Sequence, residues 1–168
     1  MRVERLTGAI GPAIEKGLAD VLLDCVAGGA SVGFLASLGR DEAERWWRAT
    51  LREPHSETWI ARQDNDRVVG VVRLILATAP NSPHRATVAK LLVHRDARGQ
   101  GCASGLMSAL EKGARALGRS LLVLDTHTGS PAEAMYERWG WRRIGVINDF
   151  AATPDGRLAP TTYLTKRL

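Results

Sequence analysis

Residues 88 to 103 read VAKLLVHRDARGQGCA and carry the strongest structural signal in the chain. A β-rich apolar segment, 85–93, passes through a charged, glycine-containing loop into a segment, 103–117, whose apolar residues recur at helical spacing. Gly118 follows this segment as a helix stop. The pattern predicts a strand, a loop and a helix, with the glycines of the loop at the start of the helix.

The loop has the composition of an anion-binding site. The first N–H groups of a helix have no intrahelical partner and lie at the positive end of the helix dipole, so they suit a pyrophosphate. Gly99 and Gly101 would let the backbone approach the anion closely, and Arg98 would add a charge-assisted contact. The spacing is neither a dinucleotide fingerprint nor a P-loop. A glycine-rich turn without a ligand is the alternative that the loop alone leaves open.

The flanking segments alternate between strand and helix patterns. Residues 121–124 form a continuous apolar run, which is typical of a strand buried on both faces. Ser130 and Pro131 open a short helix as N-cap and first helical residue. The full prediction is a strand at 3–6, helices at 12–26 and 41–51, strands at 58–62, 68–76 and 85–93, a helix at 103–117, a strand at 121–124, a helix at 130–139 and strands at 143–147 and 161–166. This order predicts a mixed α/β sheet flanked by helices.

Composition predicts one globular domain over residues 1–168, because 45% of the residues are hydrophobic and 24% are charged. The apolar runs are too short to span a membrane and the N-terminus does not resemble a signal peptide, so we expect a cytoplasmic protein that binds no membrane.

Cys25 and Cys102 have no metal or redox spacing, and the four histidines have no metal-ligand spacing, so no metal is expected. The net charge of +5 suits an anionic small molecule or nucleic acid, but scattered basic residues predict no nucleic-acid binding.

Two motifs together resemble the GNAT N-acetyltransferase superfamily. Residues 98–103, RGQGCA, match its Arg/Gln-x-x-Gly-x-Gly/Ala signature, and residues 132–141, AEAMYERWGW, are similar to its Ala-x-x-Leu-Tyr-x-x-x-Gly-Phe element. The resemblance covers roughly residues 58–168, and it is nearest to the tabtoxin-resistance acetyltransferase branch. Two positions depart from the family pattern. Gly129 stands where many members have asparagine, and the strand that precedes the loop lacks their glutamate.

The resemblance implies a mixed, mostly antiparallel sheet in which parallel strands 86–93 and 121–126 splay apart, with acetyl-CoA entering the gap as acyl donor. It implies an N-acetyltransferase that acetylates a primary amine of a small molecule by direct attack, without a covalent enzyme intermediate. A homodimer and a role in antibiotic or toxin resistance are left open. The cofactor-binding residues that it implies are Leu91, Leu92, Val93, Arg98, Gly99, Gln100, Gly101, Cys102, Ala103, Ser104, Thr126, Ser130, Ala132 and Tyr136.

Acetyl transfer to an amine needs a neutral amine, a polarised carbonyl and a donor for the leaving thiolate. Tyr136 is predicted to protonate the thiolate or hydrogen-bond to it, because a phenol is protonated near neutral pH. Asp125 ends the strand that begins at residue 121 and is predicted to orient or deprotonate the amine. The alternative role of Asp125 is to cap the turn at 126–128.

Other residues near the motifs allow further hypotheses. His94 and His127 are alternative bases. A helix N-terminus is expected to lower the pKa of the Cys102 thiol, which leaves open a nucleophilic role for Cys102 through a covalent acyl-cysteine. Trp46 and Trp47 are candidates to line an acceptor pocket. The alternative functions are a non-catalytic acyl-CoA-binding regulatory domain and the acetylation of a protein amine.

Overall fold

The computed structural model describes residues 1–8 and 10–168. Its elements are β1 (Arg2–Arg5), α1 (Pro12–Ala27), α2 (Arg40–Thr50), β2 (Ser56–Arg62), β3 (Val68–Leu76), β4 (Arg85–Val93), α3 (Cys102–Ala116), β5 (Leu121–His127), α4 (Pro131–Arg138), β6 (Arg142–Ala152) and β7 (Leu158–Arg167). A single 3-10 turn precedes α3. The predicted order of strands and helices and the mixed α/β class are confirmed.

The seven strands form one sheet in the order β1-β2-β3-β4-β5-β7-β6. Neighbouring strands are antiparallel except for β4 and β5, which are parallel and joined through α3. Their pairing is limited to Arg85–Thr87 opposite Leu121–Val123. The carboxyl-terminal halves of β4 and β5 therefore face a gap in the sheet, which we call the β4–β5 gap, as the predicted splay requires.

Helices cover the two faces of the sheet unequally. On one face, α1 and α2 bury a core with Ile60, Val71 and Leu92 of the central strands. On the other face, α3 buries Leu106 and Leu110 in a core that extends across β2 to β5 and β7 and includes Tyr136 of α4. Alternate strand residues enter the two cores, which is the two-residue periodicity of a strand. No helix of the described part of the chain is both long and apolar enough to cross a bilayer.

Two sequence-based expectations about strands are wrong. Residues 121–124 are buried on one face only, because the α3-side core contains Leu122 and Leu124 whereas the α1–α2 core contains no residue of β5. Strand β6 continues to Ala152 instead of ending at 147. It is the edge strand, exposed along nearly its whole length, so burial imposes no alternation on its sequence.

Helix α3 approaches the sheet at a glycine. A Cβ on Gly113 would lie 2.3 Å from a ring carbon of the buried Trp59, whereas a Cβ on Gly105 would lie 3.4 Å from Val3. We predict that Gly113→Ala is less stable than Gly105→Ala by about 1–3 kcal/mol, the usual cost of overpacking a core. Both substitutions gain the same helix propensity of about 1 kcal/mol, which cancels in the comparison. Urea unfolding of the two variants measures the difference, and equal midpoints would contradict this packing.

Candidate active site

The loop before α3 has the backbone of an anion cradle. Gly99 and Gly101 have φ angles of 73° and 77°, in the left-handed region that favours glycine, and Gly101 is the N-cap of α3. The first backbone bond of the helix runs from Gly105 N to Gly101 O at 3.0 Å. The amides of residues 102–104 therefore stay available to a ligand at the positive end of the helix.

Cys102 faces the protein interior and not the cradle. It is 2% exposed, and its Sγ would lie 2.8 Å from a Cβ at Gly70, so the glycine in β3 makes room for the first turn of α3. Burial raises the pKa of the Cys102 thiol to about 11. The expectation of a lowered pKa is therefore wrong, because removal from water outweighs the helix dipole at this position. Cys102 can offer a ligand only its backbone N–H.

The polar side chains of the loop bond to the protein itself. Arg98 Nε donates to Val93 O at 3.2 Å, at the carboxyl end of β4. Gln100 Nε2 donates to Asp96 O at 2.9 Å, and Ser104 Oγ donates to Gly101 O at 2.9 Å. These bonds fix the shape of the loop, so the contacts that the cradle presents for an anion come from its backbone amides.

Two contacts hold the loop against α1 and close its first turn. Arg95 donates to the Asp24 carboxylate from both its backbone N and its Nε, each at 2.8 Å. His94 Nδ1 accepts a hydrogen bond from Asp96 N at 3.3 Å and caps the 3-10 turn. The other ring nitrogen of His94 lies 3.0 Å from the Arg67 guanidinium. Both nitrogens of this alternative base are thus engaged in shaping the loop.

Helix α4 packs against β5 and holds Tyr136 near enough to Asp125 for the charge of the aspartate to act on the phenol. Ser130 Oγ accepts from Glu133 N at 3.2 Å, which confirms the predicted N-cap, and the Glu133 carboxylate accepts from Gly129 N at 2.6 Å. Tyr136 is 7% exposed and makes edge-to-face contacts with Trp139 and Trp141 at 6.1 and 5.9 Å between ring centroids. The cap and the aromatic contacts together fix the position of the phenol.

The Tyr136 hydroxyl is unpaired and protonated. In the part of the chain that the structure describes, no residue forms a hydrogen bond with it. Burial raises the pKa of Tyr136 above its ordinary value, and the negative charge of Asp125 raises it further. The phenol therefore remains a hydrogen-bond donor throughout the physiological pH range.

Asp125 lies on β5 beyond its last pairing with β4, so the structure brings it to the same gap as Tyr136. Among residues 1–8 and 10–168, the Asp125 carboxylate accepts no hydrogen bond from the backbone N–H groups of 126–128, so the structure gives no support to the capping role. The Asp125 side chain reaches solvent, but the protein atoms around it still desolvate its carboxyl and raise its pKa, and the positive charge of Lys90 opposes that rise. A carboxylate with a raised pKa is a better proton acceptor than an ordinary aspartate.

Lys90 is a residue of this site that sequence reasoning missed. It has a φ angle of 53° in a bulge of β4, and its Nζ donates to Val32 O at 2.9 Å. The same Nζ lies 5.9 Å from the centroid of the Phe34 ring and 5.4 Å from that of Trp46. Burial lowers the pKa of Lys90, and the charge of Asp125 opposes the shift. The available signal was a charged residue within the run of apolar residues 88–93 of β4.

The two tryptophans that were predicted to line an acceptor pocket lie in different environments. Trp47 is fully buried in the α1–α2 core. Trp46 is half-buried and packs edge-to-face on Phe34, with ring centroids 5.2 Å apart. Of these two tryptophans, Trp46 is the one whose ring lies against the Lys90 ammonium group.

The candidate site contains no metal-binding cluster. Within the described ranges, no group of three or more His, Cys, Asp or Glu side chains could hold a metal ion. The polar groups that the structure brings near the β4–β5 gap are the carboxylate of Asp125, the phenol of Tyr136, the ammonium group of Lys90 and backbone amides.

Comparisons with known proteins identify the family and the fold of the chain. The model of the acetyltransferase (GNAT) family matches residues 29–141. An uncharacterized N-acetyltransferase from the hisH-hisA intergenic region of Azospirillum brasilense is 33% identical over 110 residues. That match covers 64% of this chain and 65% of the relative.

Solved structures share the fold at low sequence identity. The crystal structure of a ribosomal-protein-alanine N-acetyltransferase from Brucella melitensis superposes with a TM-score of 0.81 at 18% identity, covering 100% of both chains. The structure of yncA, a putative acetyltransferase from Salmonella typhimurium with its cofactor acetyl-CoA, has a TM-score of 0.77 at 15% identity and covers 100% of this chain and 95% of that one. At these identities the likeness concerns the fold.

The electrostatic coupling across the gap predicts a specific titration. Asp125 should titrate above the ordinary aspartate value of 3.8, and Lys90→Met should raise its pKa further, because the variant removes the positive charge that favours the carboxylate. Lys112→Met is the matched control, since it makes the same charge change at an exposed position of α3. Carboxyl-carbon NMR titration measures both pKa values. A normal wild-type pKa, or equal effects of the two variants, would contradict the described coupling.

Proposed function

Because the chain belongs to the acetyltransferase (GNAT) family, we propose that it transfers an acetyl group from acetyl-CoA to a primary amine of a small molecule. One observation carries the proposal: an anion cradle at the start of α3 opens beside a gap in the sheet that holds an unpaired phenol and a carboxylate. These are the groups required by an anionic thioester donor, its leaving thiolate and an attacking amine.

The cradle would hold the pyrophosphate of acetyl-CoA through the amides of residues 99–104. The pantetheine arm would lie along the unpaired edge of β4 at residues 91–93, whose backbone groups also bind the thioester. On the opposite wall, Thr126, Ser130 and Ala132 would line the arm, and the small Ala132 leaves room for it. Arg98 already lies at the junction of β4 and the loop, where its positive charge favours a phosphate.

The transfer would proceed by direct attack. Asp125 accepts a proton from the ammonium group of the acceptor, and the neutral nitrogen bonds to the thioester carbon. The carbon–sulfur bond then breaks, and the second proton of the nitrogen passes to the departing sulfur, so that CoA leaves as the thiol and the acceptor as its N-acetyl amide. Tyr136 donates a hydrogen bond to the departing thiolate. Its raised pKa favours a hydrogen bond over complete proton transfer, because the phenol is then a much weaker acid than the thiol product.

Two observations favour this chemistry over the alternatives. The burial of Cys102 and its high pKa argue against a covalent acyl-cysteine. The unpaired hydroxyl of Tyr136 argues against a domain that only binds acyl-CoA, since such a domain needs no donor at the thioester. Acetylation of a protein amine is the second candidate, and assays with peptides beside small amines distinguish it. The nearer resemblance to the tabtoxin-resistance branch, a resistance role, a homodimer and a cytoplasmic location stay predictions.

The cradle assignment predicts that Gly101→Glu weakens acetyl-CoA binding by at least about tenfold, because bulk and negative charge enter the pyrophosphate site. Gly118→Glu is the matched control. Gly118 also has a positive φ, at the opposite end of α3, so the same substitution causes similar backbone strain far from the cradle. Calorimetry compares the dissociation constants. Equal affinities of both variants and the wild type would exclude the cradle as the CoA site.

The donor assignment predicts that Tyr136→Phe lowers kcat by about 100-fold, the lower range for a lost acid catalyst. The ring and its aromatic contacts remain, so the affinity for acetyl-CoA should change by less than about threefold. Steady-state rates of thiol release across pH 6 to 9 and calorimetry provide the two readouts. Wild-type turnover by the variant, with chemistry shown to limit the rate, would refute the role of Tyr136.

A further inference from the structure

The Lys90 ammonium lies in a partly buried site without an anionic partner. Its one hydrogen-bond acceptor is the Val32 carbonyl, and its other neighbours are the faces of Phe34 and Trp46. In the described part of the chain, no carboxylate oxygen lies within the 4.0 Å of an ion pair with Nζ. Arg73, the other cation that acts on Lys90, is itself paired with Glu53. A charge removed from water is costly unless an opposite charge meets it.

The backbone at Lys90 is strained in the conformation that produces this arrangement. A positive φ is unfavourable for a residue with a Cβ, and such strain concentrates at functional sites. The bulge places two residues of β4, Lys90 and Leu91, opposite the single residue Val72 of β3. The Lys90 side chain reaches Val32 and Phe34 in the connection between α1 and α2, and Lys90 itself lies on the part of β4 beyond its last pairing with β5.

Asp125 supplies the opposite charge on the neighbouring strand. It attracts Lys90 without forming an ion pair, and Lys90 is the cation that acts on its carboxylate. The part of the sheet where β4 and β5 no longer pair therefore presents an ammonium group on one strand and a carboxylate on the next, and neither has a direct ionic partner among the residues that the structure describes. A molecule that carries one negative and one positive group close together would satisfy both.

From this juxtaposition we infer that the acceptor is an amine that also bears a carboxylate, as an α-amino acid does, with Lys90 binding its carboxylate and Asp125 its amine. The inference rests on the proposed acetyl transfer and names the substrate class for it. Phe34 and Trp46 hold the lysine in place through cation–π contacts. The same lysine rejects polyamines and other polycations, because a second ammonium group would lie against Lys90.

The test compares matched acceptors. Each common amino acid is assayed for thiol release from acetyl-CoA beside its methyl ester and the amine that its decarboxylation produces. For the preferred side chain, the wild type should favour the free carboxylate by at least about tenfold in kcat/KM, the effect of one charge-assisted hydrogen bond. Lys90→Met should reduce this preference to about one, whereas Lys112→Met, with the same charge change at an exposed site, should retain it.

A second readout does not require turnover. In the CoA-saturated protein, the preferred amino acid should shift the Trp46 indole N–H resonance, and its decarboxylated counterpart at the same concentration should not. Equal kcat/KM for the paired acceptors would overturn the inference while leaving acetyl transfer established. Loss of turnover for both acceptors in Lys90→Met, with acetyl-CoA affinity unchanged, would also overturn it, since Lys90 would then act in the chemistry. No turnover of any amine or peptide by the wild type would instead refute the proposed function itself.

Discussion

The site depends on a place where hydrogen bonding between two parallel strands stops. β4 and β5 pair over three residues each and then leave a gap between their carboxyl-terminal halves. An interrupted ladder leaves backbone N–H and C=O groups without partners, which is unfavourable unless water or a ligand satisfies them. A long, flexible molecule with amide groups, such as the pantetheine arm of CoA, is suited to occupy such a gap. In the proposed function, the cradle, the phenol and the carboxylate take their roles from their positions around this gap.

The surroundings of each polar group at the gap determine how readily it carries a charge. Burial is the largest influence on Tyr136, Asp125 and Lys90 alike, and it favours the neutral form of each. The phenol is neutral anyway, so burial only secures it as a donor. Asp125 and Lys90 attract each other electrostatically, and the aromatic rings of Phe34 and Trp46 stabilise the positive charge of Lys90. A bound substrate that supplies both missing charges would complete this electrostatic arrangement.

The sequence was sufficient for the architecture because most elements carry local signals. The helical spacing before Gly118 and the Ser130 cap each identify an element without knowledge of its neighbours. The length of β6 was not predictable in this way, because an exposed edge strand has no buried face to pattern it. The direction of the Cys102 side chain depends on the close approach of α3 to Gly70, which is a tertiary contact.

The same distinction applies to the candidate site. The Gly101 cradle and Tyr136 were predicted because each belongs to a motif of fixed spacing. Lys90 was missed because its role arises from a bulge in β4 and from contacts with Val32 and Phe34, nearly 60 residues earlier in the chain. Contacts between such distant residues produce no periodic pattern in the sequence.

The proposed function depends most directly on where acetyl-CoA binds, and amide NMR mapping of the protein during titration with acetyl-CoA measures that position. If the gap holds the donor, the largest shifts will occur at the amides of residues 99–104 and 91–93, together with the tyrosine helix α4. Shifts confined to other surfaces, such as the exposed edge strand β6, would place the ligand elsewhere, and an unperturbed spectrum at saturating acetyl-CoA would show that the gap is not a donor site.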